Sequence, residues 1–248
     1  MTDGERSGRA LIRRLRDIVK PGADRTLNPD SLRGLGGFRS GAPVLVILAA
    51  GKGTRFGQAP KCIQPVHGTP LARHSIDAFR RLHRSPVICV VGYRHEEVCS
   101  ALGGDNTYVL SSDPAGGTAL AAFEALMTPG LLEANPPLVI TMGDRIVPSP
   151  VFRRLWETHQ TGRREADLTF LTAQYEPPKN RGKGRVLRDE YGRVIRIIEE
   201  RDIAAEPDEV RRQALLELTE GNCPLYVARA ATLLRYLQDL TNTNAQGQ

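Results

Sequence analysis

The chain has little of what disulfide, zinc or membrane chemistry requires. Among 248 residues there are four cysteines, Cys62, Cys89, Cys99 and Cys223, and none lies in a CxxC pair. That number and spacing make no disulfide framework, so free thiols in a reducing, cytoplasmic compartment are expected. His67, His74, His83, His95 and His159 show no metal-ligand spacing with the cysteines, which argues against zinc. No apolar run approaches the roughly 20 residues of a membrane span. The longest, PVLVILAA at 43–50, suits a buried strand. The start, MTDGERSGRALIRR, is too polar and too acidic for a secretory signal. Aromatic residues are only 5%, with a single tryptophan, Trp156, which reads as core rather than as a stacking platform. Two phosphate-binding signatures are missing as well: no GxxxxGK precedes a Ser or Thr, and no GxGxxG occurs.

What remains is ordinary globular material, 40% hydrophobic and 25% charged, enough for one α/β domain. The net charge of +6 is uneven. Residues 1–41 hold nine basic and five acidic side chains, and so carry most of the excess. A nucleic-acid surface usually places its cations on the folded domain with aromatics among them, so nucleic acid is not the expected partner. LIRRLRDIVK puts Leu11, Ile12, Leu15, Ile18 and Val19 on one helical face, Pro21-Gly22 stops that helix, and 22–42 reads as a linker. The expected division is an extension over 1–41 and a domain over 42–248.

From Ala42 strands and helices alternate. Strands are expected at 43–50, 86–93, 107–112, 137–144 and 166–174, helices near 70–83, 95–102, 117–126 and 149–160, and a hairpin at 184–200 turning at Glu190-Tyr191-Gly192. The alternation predicts an α/β, Rossmann-like fold: a mainly parallel sheet, helices on both faces and a β-hairpin insertion. In such sheets ligands bind beyond the carboxyl ends of the strands. The Gly-rich turn GKGTRFG and Asp144 both fall there.

The strongest chemical signal is LVILAAGKGTRF at 45–56, followed by Pro60-Lys61. Gly51 and Gly53 let backbone N–H groups approach a polyphosphate. Lys52, Arg55 and Lys61 add three cations that can neutralise charge developing on a leaving pyrophosphate. Asp144, in MGD at a strand end, can hold a cation or cap the following turn. Glu199 reads equally as a site residue or part of a solvated charge cluster, and Asn222, between Gly221 and Pro224, as a site or turn residue.

LAAGKGTRF with Pro60-Lys61, GTALAAFEA, MGD, GRV…VIRIIEERD, Asn222 and the terminal LTNTNAQG resemble the sugar-phosphate nucleotidyltransferases. Within them they are most similar to the uridyltransferase domain of the N-acetylglucosamine-1-phosphate uridyltransferases. The resemblance implies that an NTP, UTP favoured, is joined to a sugar 1-phosphate such as N-acetylglucosamine 1-phosphate with release of pyrophosphate. It implies Mg²⁺ as cofactor, held by Asp144. Arg55 and Lys61 would be catalytic, binding phosphates. Ala49, Gly51, Lys52, Gly53, Thr54, Gly117 and Thr118 would bind the nucleotide. Gly143, Gly184, Glu199 and Asn222 would bind the sugar. The implied partners are these two substrates, with no nucleic acid or membrane span, and a homo-oligomer is compatible with it.

Three positions depart from the pattern. SSDPAGGT lacks the family's uracil-pairing glutamine, Lys183 replaces an aromatic before the Gly-Arg of the sugar loop, and Cys223-Pro224 follows Asn222. Relatives of this kind also continue past NAQG, so the domain is expected to be cut short at its C-terminus. The alternatives are a transferase of different base or acceptor, such as a cytidylyltransferase, and an inactive nucleotide- or sugar-binding module.

Overall fold

The computed structural model describes residues 25–27, 37–53, 59–161, 166–176 and 182–238. The expected helix over 11–19, Thr54, Arg55 and the string at 240–247 lie outside the described residues. The chain forms two compact units, one reaching Thr169 and resuming at Tyr226, the other running from Phe170 to Leu225.

The first unit is built on β1 (Val44–Ala49), whose six residues are all buried. After it come a 3₁₀ turn (Lys61–Ile63), the two-residue strands β2 (Pro65–Val66) and β3 (Thr69–Pro70), and helix α1 (Leu71–Arg80). β4 (Val87–Val91), α2 (His95–Leu102), β5 (Thr107–Leu110), α3 (Gly117–Leu126), the short α4 (Leu131–Ala134), β6 (Pro137–Met142) and α5 (Ser149–Thr161) follow. Hydrogen-bonded neighbours run β5-β4-β1-β6, and each pair is parallel, with Ile47 opposite both Cys89 and Thr141. Strands covered on both faces read as unbroken apolar runs, which is why PVLVILAA lacks alternation.

Alternate side chains of the strands point to opposite faces. Val44, Val46 and Leu48 join Ile88, Val90, Val109, Leu138 and Ile140 beneath Ala121, Ala122, Ala125 and Leu126 of α3. Leu45 and Ile47, fully buried, point the other way, to the face where α1 packs on β1 and α2 on β4. α1 buries Ala72, Ser75, Ile76 and Phe79, an i, i+3, i+4, i+7 stripe. Phe79 meets Phe152 of α5 edge to face, ring centroids 5.7 Å apart.

Residues 25–27, expected within a linker, instead lie along β5. Thr26 forms an antiparallel bridge with Val109, Leu27 N–H donates to the Tyr108 carbonyl (2.8 Å), and Leu110 N–H donates to that of Arg25 (3.0 Å). The reason is the open edge of β5. Its unpaired backbone groups accept any extended segment of suitable sequence, and no periodicity in so short a piece signals this in advance.

The second unit carries β7 (Thr169–Gln174), the antiparallel hairpin β8 (Arg185–Arg188) and β9 (Val194–Ile198), α6 (Glu200–Ala204), α7 (Glu209–Leu216) and the start of β10 (Glu220–Arg229). β10 ends in the first unit and leads into α8 (Ala230–Gln238). The hairpin turns where expected: the Asp189 carboxylate accepts from the N–H groups of Tyr191 and Arg193. β7 and β8 both pair with β10, and Gly221 stands opposite Arg185. Ile198, Ile203 and Leu215 form a small core, and the buried Arg185 guanidinium stacks 3.5 Å from the Tyr175 ring. α7 starts at Asp208, whose carboxylate accepts from the N–H groups of Val210 and Arg211.

Candidate active site

At the carboxyl ends of β1 and β6 lies a concavity of about 140 Å³ lined by Leu48, Ala49, Gly51, Gly53, Lys61, Cys62, Met142, Gly143 and Asp144. Six of the expected site residues therefore share one surface. Gly53 has φ +57°, and a side chain there would stand 3.4 Å from Lys61 Cβ. Only glycine holds that conformation without strain. Gly143 is under a different constraint, since a Cβ there would sit 2.9 Å from that of Ala49 and 3.0 Å from that of Cys62.

Lys61, on the 3₁₀ turn, donates from Nζ to Asp144 Oδ2 at 2.7 Å, and each side chain is about one third exposed. A cation and an anion held together at a strand end, open to solvent, can each exchange partner for a phosphate oxygen or a metal ion. Arg145 Nε approaches the other carboxylate oxygen at 3.7 Å. Its place directly after MGD was the only signal for it in the sequence. Cys62 stays a thiol: burial, assisted by the Asp144 charge, pushes its pKa up to about 11 against a backbone hydrogen bond.

The loop beyond Asp144 is pinned from α1 by a residue that no motif marks. Ser75, fully buried, donates from Oγ to the Arg145 carbonyl (2.8 Å) and accepts from Val147 N–H (2.9 Å). Ser75→Ala leaves both backbone groups without that hydroxyl. The expected loss is about 1–3 kcal/mol of stability, read by urea or thermal unfolding.

Lys52 is exposed and does not line the concavity. Gly117 and Thr118 open α3 outside it. In the second unit Gly184, Glu199 and Asn222 come together. Asn222 N–H donates to the Gly184 carbonyl (2.8 Å), and a Cβ on Gly184 would meet Glu199 Oε1 at 3.0 Å and Ile197 Cγ2 at 2.8 Å. Asn222 is thus a mid-strand residue of β10, not a turn. Although Glu199 is exposed as a residue, its carboxyl lies over Gly184, where it loses part of its hydration. That desolvation, with the charge of Asp202, pushes its pKa above the ordinary carboxylate value, against the pull of Arg201. Lys183 and Cys223, the two departures in this unit, face each other across the strands, Nζ to Sγ 3.7 Å.

Among the described residues no cluster of three or more His, Cys, Asp or Glu side chains could hold a metal, and no helix is long and apolar enough to cross a membrane. The bifunctional protein GlmU of Cupriavidus pinatubonensis is 32% identical over 206 residues, which cover 82% of this chain and 42% of that protein. GlmU of Burkholderia mallei (strain SAVP1) is 34% identical over the same span. The chain thus spans less than half the length of the curated relatives it matches. The inositol-1-phosphate CTP transferase structure from T. maritima shares the fold, with TM-score 0.55 and 17% identity, covering 84% of this chain and 77% of that one. The family model of the MobA-like NTP transferase domain matches residues 45–246. It takes in the strand, the Gly-rich turn, Lys61 and Asp144, and the chain belongs to that family, a nucleotidyltransferase domain.

Proposed function

We propose that this domain transfers a nucleotidyl group from an NTP to a sugar 1-phosphate, releasing pyrophosphate, with UTP and N-acetylglucosamine 1-phosphate as the first substrates to test. The observation that carries the reading is the 2.7 Å pair of Lys61 and Asp144 beside Gly51 and Gly53 at the carboxyl ends of β1 and β6. The acceptor phosphate is already anionic, so the reaction needs neither a general base nor a covalent side chain. Positioning and charge neutralisation suffice.

In this reading the glycine turn offers backbone N–H groups to the phosphates, and Lys61 leaves Asp144 to follow the charge that develops as pyrophosphate departs. Asp144 is the residue that would hold Mg²⁺. A single, partly exposed carboxylate fits an ion that keeps several waters and takes one or two protein ligands. Bound there, Mg²⁺ would neutralise phosphate charge. Arg55 and Lys52 are proposed to extend the cationic side of the site, and Ala49, Thr54, Gly117 and Thr118 to border the nucleotide. Gly143, Gly184, Glu199 and Asn222 are proposed for the sugar.

The test is pyrophosphate release from each of four NTPs, paired with N-acetylglucosamine, glucose and inositol phosphates, with and without Mg²⁺. Release with UTP and the amino sugar supports the full reading, and release with CTP moves the base. If ligands raise Tm while no pair releases pyrophosphate, the domain is a binding module.

The pH response follows from Glu199. Because its folded pKa lies above the ordinary value, its charge is lost at a higher pH than for a free carboxylate, and a sugar hydroxyl or amide bound to the ionised form binds less well there. The KM for the acceptor is expected to fall as pH rises through that raised pKa. In Glu199→Gln it should be high and flat over the same range. A wild-type KM independent of pH would remove Glu199 from the sugar site.

A further inference from the structure

The loop between β5 and α3 is the segment proposed to border the nucleotide, and its sequence SSDPAGGT carries no glutamine. Its anchoring is unusual. Glu124, on α3, has no side-chain exposure, yet it is a carboxylate. Its Oε1 accepts from both Ser112 N–H and Ser112 Oγ–H, each at 2.6 Å. From there the loop turns on itself: Ala115 N–H donates to Asp113 Oδ1 (2.8 Å) and Gly116 N–H to the Asp113 carbonyl (3.0 Å), and Gly117 follows. One buried carboxylate therefore fixes the start of the loop.

A buried carboxylate is costly unless a cation or donors compensate it. The cation facing Glu124 is Arg25, with Nη1 3.9 Å from Oε1. Arg25 is held there by the bridge of Thr26 to Val109 and the two backbone bonds to Tyr108 and Leu110. β5 and the loop are continuous in sequence, so the segment that extends the sheet edge also delivers the charge.

We infer that Arg25–Leu27 is a positioning element of the nucleotide site: Arg25 supplies the countercharge to the buried Glu124 carboxylate, and Glu124 holds Ser112 and with it the nucleotide-bordering loop. This rests on the proposed function for its kinetic consequence, but not for the pinning itself. Losing the cation leaves a buried carboxylate without its countercharge, and the loop around it must open to hydrate it, which loosens Ser112. At 3.9 Å the contact is one of charge rather than forked hydrogen bonding, so lysine can serve in its place.

The experiment uses the full chain and the NTP of highest turnover. Arg25→Gln is expected to raise the KM for that NTP at least fivefold, leaving kcat and the acceptor KM within twofold. Arg25→Lys is expected to stay within twofold of wild type. Arg25→Gln combined with Glu124→Gln, which removes both charges, should recover to within twofold. Amide hydrogen exchange over 111–117 should quicken in Arg25→Gln and return in the double variant. An unchanged NTP KM in Arg25→Gln, Arg25→Lys behaving as Arg25→Gln, or equal loss toward both substrates would overturn the inference. If no NTP is turned over at all, the functional reading fails alone. Exchange over 111–117 then still decides the pinning, and unchanged exchange in Arg25→Gln rejects it.

Discussion

Lys61→Ala is expected to reduce kcat for pyrophosphate release by about 10²–10³, the usual cost of removing one charge-stabilising donor from a phosphoryl or acyl transfer site. Lys61 stands on a 3₁₀ turn at the rim of the strand-end concavity, with its ammonium on Asp144. Its part in the reaction is proposed to begin when that contact is exchanged for phosphate, so the loss belongs in kcat as well as in KM. Asp144→Asn should match or exceed it, because the amide keeps the shape but not the charge that would hold Mg²⁺. Neither change should cost much stability. Both side chains are about one third exposed, and ion pairs in such places contribute about 0–1 kcal/mol. Turnover and thermal unfolding measured together separate the two effects. A Lys61→Ala protein as active as wild type would sink the assignment of the site.

The second large effect lies in the core. Phe79→Ala is expected to cost about 3–5 kcal/mol, the range for truncating a buried aromatic residue. The side chain is 1% exposed and packs between Phe152 and His83, with ring centroids 5.7 and 5.0 Å away. Two helices, α1 and α5, meet at this ring, so neither can close the void without drawing away from the strands. At about 2–4 °C per kcal/mol for a chain of this size, Tm should fall by about 6–20 °C. The urea midpoint should drop with an unchanged m-value. Activity per folded molecule should persist, since Phe79 does not line the strand-end concavity. A shift under 2 °C would mean that the α1–α5 contact contributes little.

The strands and helices of the first unit were legible because each had a strong local cause. PVLVILAA reads as a doubly covered strand, and Leu71, Ile76 and Phe79 read as the core-facing side of a helix, where the structure buries Ile76 and Phe79 with Ala72 and Ser75 and leaves Leu71 only half-buried. The hairpin announced itself through Glu190-Tyr191-Gly192. What followed residue 200 was not legible. α6, α7, β10 and α8 lack a clean apolar period, and Asn222 beside Gly221 and Pro224 carries the local signal of a turn while its hydrogen bonds make it a strand. Long-range pairing with Gly184 overrode propensity there.

The candidate site divides along the same line. Gly51, Gly53, Lys61 and Asp144 could be picked out as phosphate and cation chemistry from residue type and strand-end position alone. The sequence determined which residues carry charge and which strands are buried, because hydrophobic runs, glycine and ionisable groups act locally wherever they are placed. Only the tertiary structure decided that Lys61 and Asp144, 83 positions apart, meet at 2.7 Å. It also decided that Ser75 holds the loop after Asp144, and that Arg25, from a stretch resembling a linker, faces the buried Glu124. Each is a contact between distant segments, chosen by the register of parallel strands and the open edge of β5, and no local pattern encodes such a distance.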